Sequence, residues 1–421
     1  MNYAGFPIFI FRKQPSLPSQ IEKIRHEFRA RFGTDPAFIA SAPGRVNLIG
    51  EHIDYLGGHV LPIAIDRETL FAILPCDQPY ISGFSMNFHE AVVSPFGDFN
   101  TYYPAAWFRY VLGVLREVHH AGYATSGFQF CILGNVPMGS GLSSSATVSV
   151  ATLTALQAAF DFALEKKEAA LLCQRAENSF VGVKSGIMDH FISIGGVRDH
   201  ALRIQCDDLS VETIPANVPG CTWLVVDSKK RRSLVDCPYN LRIEQCISGY
   251  QFLKLNFPQA KASAAKNIPD LSMEDLLSLE KKTEPILFKR IRHIVTENAR
   301  VHRFCSALKS GDIETLGQCL YASHQSLRDD MEVSCPELDD LVEFVSAMQG
   351  TVGARLTGAG FGGCLIVLVR DVALCMVISA LKNDYPLRLP GLTEKVECWP
   401  IAISHGASVV FSLKGVAKAL A

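Results

Sequence analysis

Residues 126–160 read SGFQFCILGNVPMGSGLSSSATVSVATLTALQAAF. The first nine, SGFQFCILG, predict a strand. The last fifteen, ATVSVATLTALQAAF, predict a long buried helix, and the glycine- and serine-rich loop NVPMGSGLSSS joins the two. That order has a chemical meaning. Glycines let a backbone approach an anion closely, and a helix N-terminus adds free N–H groups and partial positive charge. Gly139, Gly141, Ser143, Ser144 and Ser145 therefore stand where a polyphosphate could be cradled. The loop is not a Walker loop, because no lysine follows its second glycine. A serine-rich N-cap on a buried helix has the same appearance, so on this stretch alone both readings stay open.

Upstream, QIEKIRHEFRARFG (20–33) has helical spacing and a glycine stop, and a strand is expected to begin between Phe38 and Ala42. A turn-rich segment, GEHIDYLGG, then leads into the apolar stretch HVLPIAI. Downstream, EKKEAALLCQRAENSF predicts a second helix. The strand-like CTWLVVDS (221–228) follows the Pro/Gly-containing segment IPANVPG. A domain boundary is expected there, giving an N-terminal domain of residues 1–215 and a C-terminal domain of 216–421. The second half reads as mainly helical until Gly353–Arg370. In that segment RLTGAGFGGCLIVLV carries a literal G-x-G-x-x-G, but its glycines lead into a strand rather than a helix. This context excludes a dinucleotide fingerprint and leaves a tight bend between packed elements.

A chain of 421 residues suits two domains. A formal net charge of -2 gives no support to a nucleic-acid or acidic-membrane partner. The 13 cysteines form no C-x-x-C pair and no zinc-like spacing, which reads as free thiols in a reducing compartment. The opening MNYAGFPIFIFRKQ has its charges after its apolar run, unlike a secretory signal. A cytoplasmic protein is expected.

Two polar constellations interrupt the apolar runs. In Gly44–Tyr55, Arg45 can supply fixed positive charge near a phosphoryl group. Glu51, His52 and Asp54 offer the acceptors and donors that sugar hydroxyls need. A polar turn satisfying its own backbone is the plainer reading. In GIMDH (186–190), Asp189 stands as one acid among apolar neighbours, a candidate general base or a simple helix cap.

Taken together, APGRVNLIGEHIDYLGGHVLP, VPMGSGLSSSA and RLTGAGFGGC stand in the order of the GHMP kinase motifs. GRVNLIGEH-x-DY, GIMD and SHQSLRDDMEVSCPELD (323–339) narrow the resemblance to the galactokinase branch. The similarity runs from about Phe28 to Cys364. It implies an α+β, two-domain GHMP kinase fold, with an N-terminal ribosomal protein S5 domain 2-like domain and a C-terminal GHMP kinase α/β sandwich domain. The active site would lie in the cleft between them. It further implies ATP-dependent phosphorylation of the anomeric hydroxyl of galactose. Asp189 matches the family's catalytic base and Arg45 its partner. Glu51, His52, Asp54, Gly186 and Tyr239 match sugar-contacting positions. Gly139, Gly141, Ser143, Ser144 and Ser145 match the ATP phosphate loop, and Trp107 resembles an adenine-pocket position or a core aromatic. Ser145 and Glu177 match ligands of Mg²⁺. The implied partners are the sugar and ATP alone, bound by a monomer, with no nucleic acid and no membrane.

Three positions depart from the galactokinase pattern: Ile53, Leu56 and His190. They bear on which sugar is used and admit a kinase for galacturonic acid or N-acetylgalactosamine. Lys184 or the basic run Lys229 to Arg232 offers a route to a sugar carboxylate. The run also reads as a loop near the nucleotide or as a solvated loop. A catalytically inactive sugar and ATP sensor is the reading from another class, and the complete GLSSSA loop with Asp189 and Arg45 intact argues against it.

Overall fold

The computed structural model describes residues 16–99, 101, 103–182, 185–231, 238–256, 271, 273–388 and 395–413. The opening segment, Lys184 and Arg232 lie outside them.

The first half begins with helix α1 (Leu17–Phe32), closed by Gly33 at φ 77°. Strands β1 (Phe38–Asn47), β2 (His59–Val60), β3 (Pro62–Pro75), β4 (Tyr80–Ser85) and β5 (Glu90–Pro95) follow. Next come α2 (Ala106–His120), β6 (Phe128–Gly134), α3 (Ser144–Ala159), α4 (Lys166–Arg175) and α5 (Met188–Gly195), then β7 (His200–Gln205) and β8 (Val211–Pro215). In the second half β9 (Cys221–Asp227) precedes five helices: α6 (Tyr239–Asn256), α7 (Met273–Glu280), α8 (Pro285–Ser310), α9 (Ile313–Asp329) and α10 (Pro336–Ser346). The chain ends through β10 (Thr351–Thr357), β11 (Cys364–Arg370), α11 (Leu374–Asn383), α12 (Tyr385–Arg388), β12 (Glu397–Pro400) and β13 (Ser408–Ser412).

The main sheet is six-stranded, in the order β13-β1-β3-β6-β4-β5. Its two faces are sorted by the alternation of strand side chains. Ile39, Leu70, Ala72, Cys131 and Leu133 face Ile24 and Phe28 of α1. Their neighbours Ala40, Phe71, Ile73, Phe130 and Ile132 face α2, α3 and α4. The sheet is therefore buried on both sides, and α3, wedged beneath it, is buried almost all round. A four-stranded sheet, β10-β11-β9-β12, carries the second half and shares one core with α8, α9 and α10. A third, three-stranded sheet joins β2, β7 and β8.

Two details differ from the sequence expectation. The helix predicted over 165–180 runs as α4 and then widens into a π-helical turn, Ala176–Val181, that carries Glu177. The terminal strand β13 returns to pair antiparallel with β1, so residues from the far end of the chain close the first sheet. The predicted glycine bend is a hairpin: β10 and β11 pair antiparallel around Gly358–Gly363. Among the described residues, no helix is long and apolar enough to cross a membrane.

Candidate active site

Arg45 sits near the end of β1, just past a register break between Pro43 and Arg45. There the strand runs against the glycine loop. A Cβ on Gly44 would lie 2.9 Å from the Leu142 carbonyl, so only glycine fits without a shift. Arg45 spans two elements. Its Nη1 donates to the Gly141 carbonyl. Its Nε and Nη2 donate to the two carboxylate oxygens of Asp189, each at 2.7 Å. Such a two-point contact fixes the plane of the carboxylate as well as its distance.

Asp189 lies in the first turn of α5 and does not cap it; the N-cap is Ile187. Its remaining partner is the Ser143 hydroxyl, which donates to Oδ2. Ser143 itself is the N-cap residue of α3, held at φ 63°, and makes no capping bond. The serine loop is thus not a plain helix cap. Its first serine is turned toward the carboxylate, while Gly139 and Gly141, at φ 68° and 82°, shape the approach to the helix N-terminus.

The GEHIDYLGG segment forms the opposite wall. Glu51 is buried, and its Oε1 accepts from the Gly358 N–H at 2.7 Å and the Thr357 hydroxyl at 3.2 Å, with Arg355 Nη2 also 3.2 Å away. His52 reaches the Ala359 carbonyl at 3.1 Å through Nε2 and the Tyr55 hydroxyl at 3.3 Å through Nδ1. The second glycine loop is therefore the back support of the Glu51–His52 wall. Burial, reinforced by the nearby Asp189 and Glu51 carboxylates, raises Asp54 to about 7. Gly186 makes room for it, since a Cβ there would fall 1.8 Å from Asp54 Oδ2. Tyr239, at the start of α6, puts its ring 5.7 Å from that of His52.

One cavity gathers these groups, with an empty volume of about 1010 Å³. Arg45, Glu51, His52, Asp54, Gly139, Gly141, Ser143, Ser144, Ser145, Glu177, Gly186, Asp189 and Tyr239 all line it, so it is walled by both halves of the chain. Tyr55, Met188, Gly358 and Ala359 line it too. Sequence reasoning had not assigned these four, although all of them lie inside motifs it had marked. Trp107 stands apart, in an adjoining cavity that meets the first at Ser144 and Ser145. It is a buried aromatic whose Nε1 donates to Glu90 at 2.8 Å, with Phe88, Ile132, Val136 and Met138 around the same space.

Magnesium prefers a few hard oxygen donors completed by phosphate and water. Ser145 and Glu177 offer a hydroxyl and a carboxylate on the cavity wall beside the glycine loop. Among the described residues no cluster of three His, Cys, Asp or Glu could hold a metal alone. The hydroxyl of Ser145 and the carboxylate of Glu177 fit part of such an oxygen donor set. Glu177 is buried, with the ring Nε2 of the fully buried His190 2.8 Å from its carboxylate.

The described part of the basic run, Lys229 to Arg231, is paired with acids. Lys229 pairs with Glu397 at 2.9 Å, Lys230 with Glu337 at 2.7 Å, and Arg231 with the buried Asp227 at 3.1 Å. Arg231 also flanks the first glycine loop: a Cβ on Gly139 would be 3.6 Å from its side chain.

Two layered α+β halves around a glycine loop, with a cleft lined from both, define a GHMP kinase. The family models for the GHMP kinase N-terminal and C-terminal domains match residues 109–196 and 305–386. The galactokinase galactose-binding signature matches residues 26–75, which contain the Glu51–Asp54 wall. The Lactococcus lactis galactokinase, solved in complex with galactose, superposes with a TM-score of 0.84 at 30% identity, covering 92% of this chain and 98% of that one. The chain belongs to the galactokinase family of sugar kinases. Methanococcus jannaschii mevalonate kinase (TM-score 0.62, 20% identity, covering 88% of this chain and 99% of that one) shares the fold. So does a D-glycero-D-manno-heptose 1-phosphate kinase from Bacteriodes thetaiotaomicron (TM-score 0.57, 15% identity, 88% and 98%).

Proposed function

We propose that the protein transfers the γ-phosphoryl group of ATP to the anomeric hydroxyl of galactose, giving galactose 1-phosphate and ADP. The observation that carries this reading is the junction at Asp189. One carboxylate is held by Arg45 and by Ser143 of the glycine loop, in the same cavity as the Glu51–His52–Asp54 wall. A phosphate site and a hydroxyl-binding site thus share a single acid.

In this mechanism the sugar lies against Glu51, His52, Asp54, Gly186 and Tyr239, and its C1 hydroxyl faces Asp189. Asp189 accepts the hydroxyl proton as the sugar oxygen bonds to the γ-phosphorus and the bond to the ADP oxygen breaks. Phosphoryl transfer passes through a loose transition state, so alignment and charge stabilisation supply most of the acceleration. Arg45 orients Asp189 and offsets charge on the transferring group. The N–H groups at Gly139, Gly141 and the start of α3 cradle the phosphates, and the Trp107 cavity takes the base. Mg²⁺ held by Ser145 and Glu177 would neutralise phosphate oxygens when bound.

Galactose is favoured over its relatives by where the three departures fall. Ile53 and Leu56 are buried in the core of the second half, and His190 is buried beneath the site. None of the three lines the cavity. The carboxylate route through the basic run is weakened by the acids that already pair Lys229, Lys230 and Arg231. The same reading divides the chain near residue 215, with β13 returned to the first domain. Coupled-assay measurement of ADP release with galactose, ATP and Mg²⁺ tests the assignment; absence of galactose-dependent turnover in folded protein would refute it.

A further inference from the structure

The sugar-side wall is made by a loop whose backbone is unusual at three positions. Gly50, His52 and Gly57 all have positive φ, at 97°, 60° and 79°. For a histidine this left-handed conformation is costly and persists only when surrounding contacts impose it. A Cβ on Gly50 would also fall 2.5 Å from the His59 carbonyl, so the loop closes tightly on itself.

The imposing contacts come from the other half of the chain. Glu297 Oε1 accepts the Gly50 N–H at 2.9 Å. His293 Nε2 lies 3.0 Å from the Glu51 carbonyl. Asn298 Oδ1 accepts the His59 N–H at 3.1 Å. Positions 293 and 297 stand one turn apart on the same face of α8, and 298 adjoins 297. All three side chains are buried. Each is spent on backbone groups of one loop more than two hundred positions away.

The clamp is itself braced. Ser323 donates to Glu297 Oε1 at 2.8 Å, and Arg300 Nε to Oε2 at 2.7 Å. A carbonyl can only accept, so His293 carries a proton on Nε2; its Nδ1 lies 2.9 Å from the Ser326 hydroxyl, which in turn donates to Asp330 Oδ2 at 3.0 Å. Burial pushes the His293 imidazole down to about 4, against the pull of the nearby Glu297 and Asp330 carboxylates.

We propose that His293, Glu297 and Asn298 are positioning residues for the sugar site, a three-point clamp on the loop backbone that holds His52 in its left-handed conformation and so sets where Glu51, His52 and Asp54 stand. This rests on the reading of that wall as the sugar site. The clamp touches neither the glycine loop nor the Trp107 cavity, so its loosening should act on the sugar and spare the nucleotide.

The test compares wild type with His293→Leu, His293→Gln and Glu297→Gln. Steady-state kinetics are run with each substrate varied, and amide hydrogen exchange is followed over residues 48–60. Leucine in place of His293 is expected to raise the KM for galactose by about ten- to a hundredfold and to leave the KM for ATP within about twofold. Glutamine there, which can still donate to the Glu51 carbonyl, should recover part of the loss. The amides of Gly50 and His59 should exchange slowly in wild type and faster in the leucine variant. A parallel rise in both KM values, or a lowered Tm with galactose KM and loop exchange unchanged, would overturn the proposal. If wild type shows no galactose turnover, the assigned reaction fails, and the exchange comparison still decides the clamp: unchanged protection over 48–60 would sink it.

Discussion

Arg45 meets Asp189 edge to edge, Nε and Nη2 each 2.7 Å from a carboxylate oxygen, across 144 positions of sequence. The same guanidinium also holds the Gly141 carbonyl. The glycine loop and the start of α5 are thereby tied to one rigid planar group, and the acid's orientation is set before any ligand binds.

Asp189→Asn keeps the size of the side chain, leaves Arg45 one acceptor oxygen in place of two, and removes the proposed proton acceptor. Turnover should fall by roughly two to four orders of magnitude with the thermal transition little changed. A variant within a few-fold of wild type would show that Asp189 is not the base.

Arg45→Lys replaces a two-point contact with a single ammonium. In the proposed mechanism the lost interaction serves the transferring group more than the sugar, so kcat should drop much more than galactose affinity. A change confined to the galactose KM would contradict that role.

Gly186→Ala puts a methyl group 1.8 Å from Asp54 Oδ2, a contact that one of the two must yield. Asp54 should be displaced, raising the galactose KM about tenfold or more while the ATP KM holds. Kinetics with each substrate varied in turn would separate this from a general loss of fold.

Asp54 gives a pH signature. Burial, then the Asp189 and Glu51 charges, raise its carboxyl from the ordinary carboxylate range to about 7. With the folded value above the unfolded one, ionisation costs stability. The cost is absent below the unfolded value near 4, grows as pH rises toward 7, and is complete above that. In ligand-free protein, Asp54→Asn should therefore gain Tm relative to wild type as pH goes from 4 to 8. An offset that does not vary with pH would mean that the Asp54 carboxyl titrates alike in the folded and unfolded chain.

Much of this was legible from local sequence. The strand of residues 128–134, the glycine loop and α3 follow from composition and period, as does the capped helix α1, because each is determined within a few turns of chain. The cavity-lining side chains lay in recognisable motifs for the same reason. What the sequence withheld is long-range. Nothing near Ser143 says that its hydroxyl leaves its own helix for Asp189. Nothing near His293 or Glu297, in an ordinary amphipathic helix, says that they hold the Gly50–Glu51 backbone. The π-helical turn that presents Glu177 is a small change of hydrogen-bond register that helix propensity does not encode. Likewise the pairing of β13 with β1 depends on where the chain ends up, and its short apolar run names no partner.

The most direct test of the central claim is ADP release from ATP and Mg²⁺ with galactose, N-acetylgalactosamine, galacturonic acid, glucose and mannose offered singly. Strong turnover is expected with galactose and little with the others, because Ile53, Leu56 and His190 stay out of the cavity. Preferred turnover of another sugar would contradict the substrate assignment. No turnover with any of them, in folded protein that still binds ATP, would contradict the assignment of an enzyme.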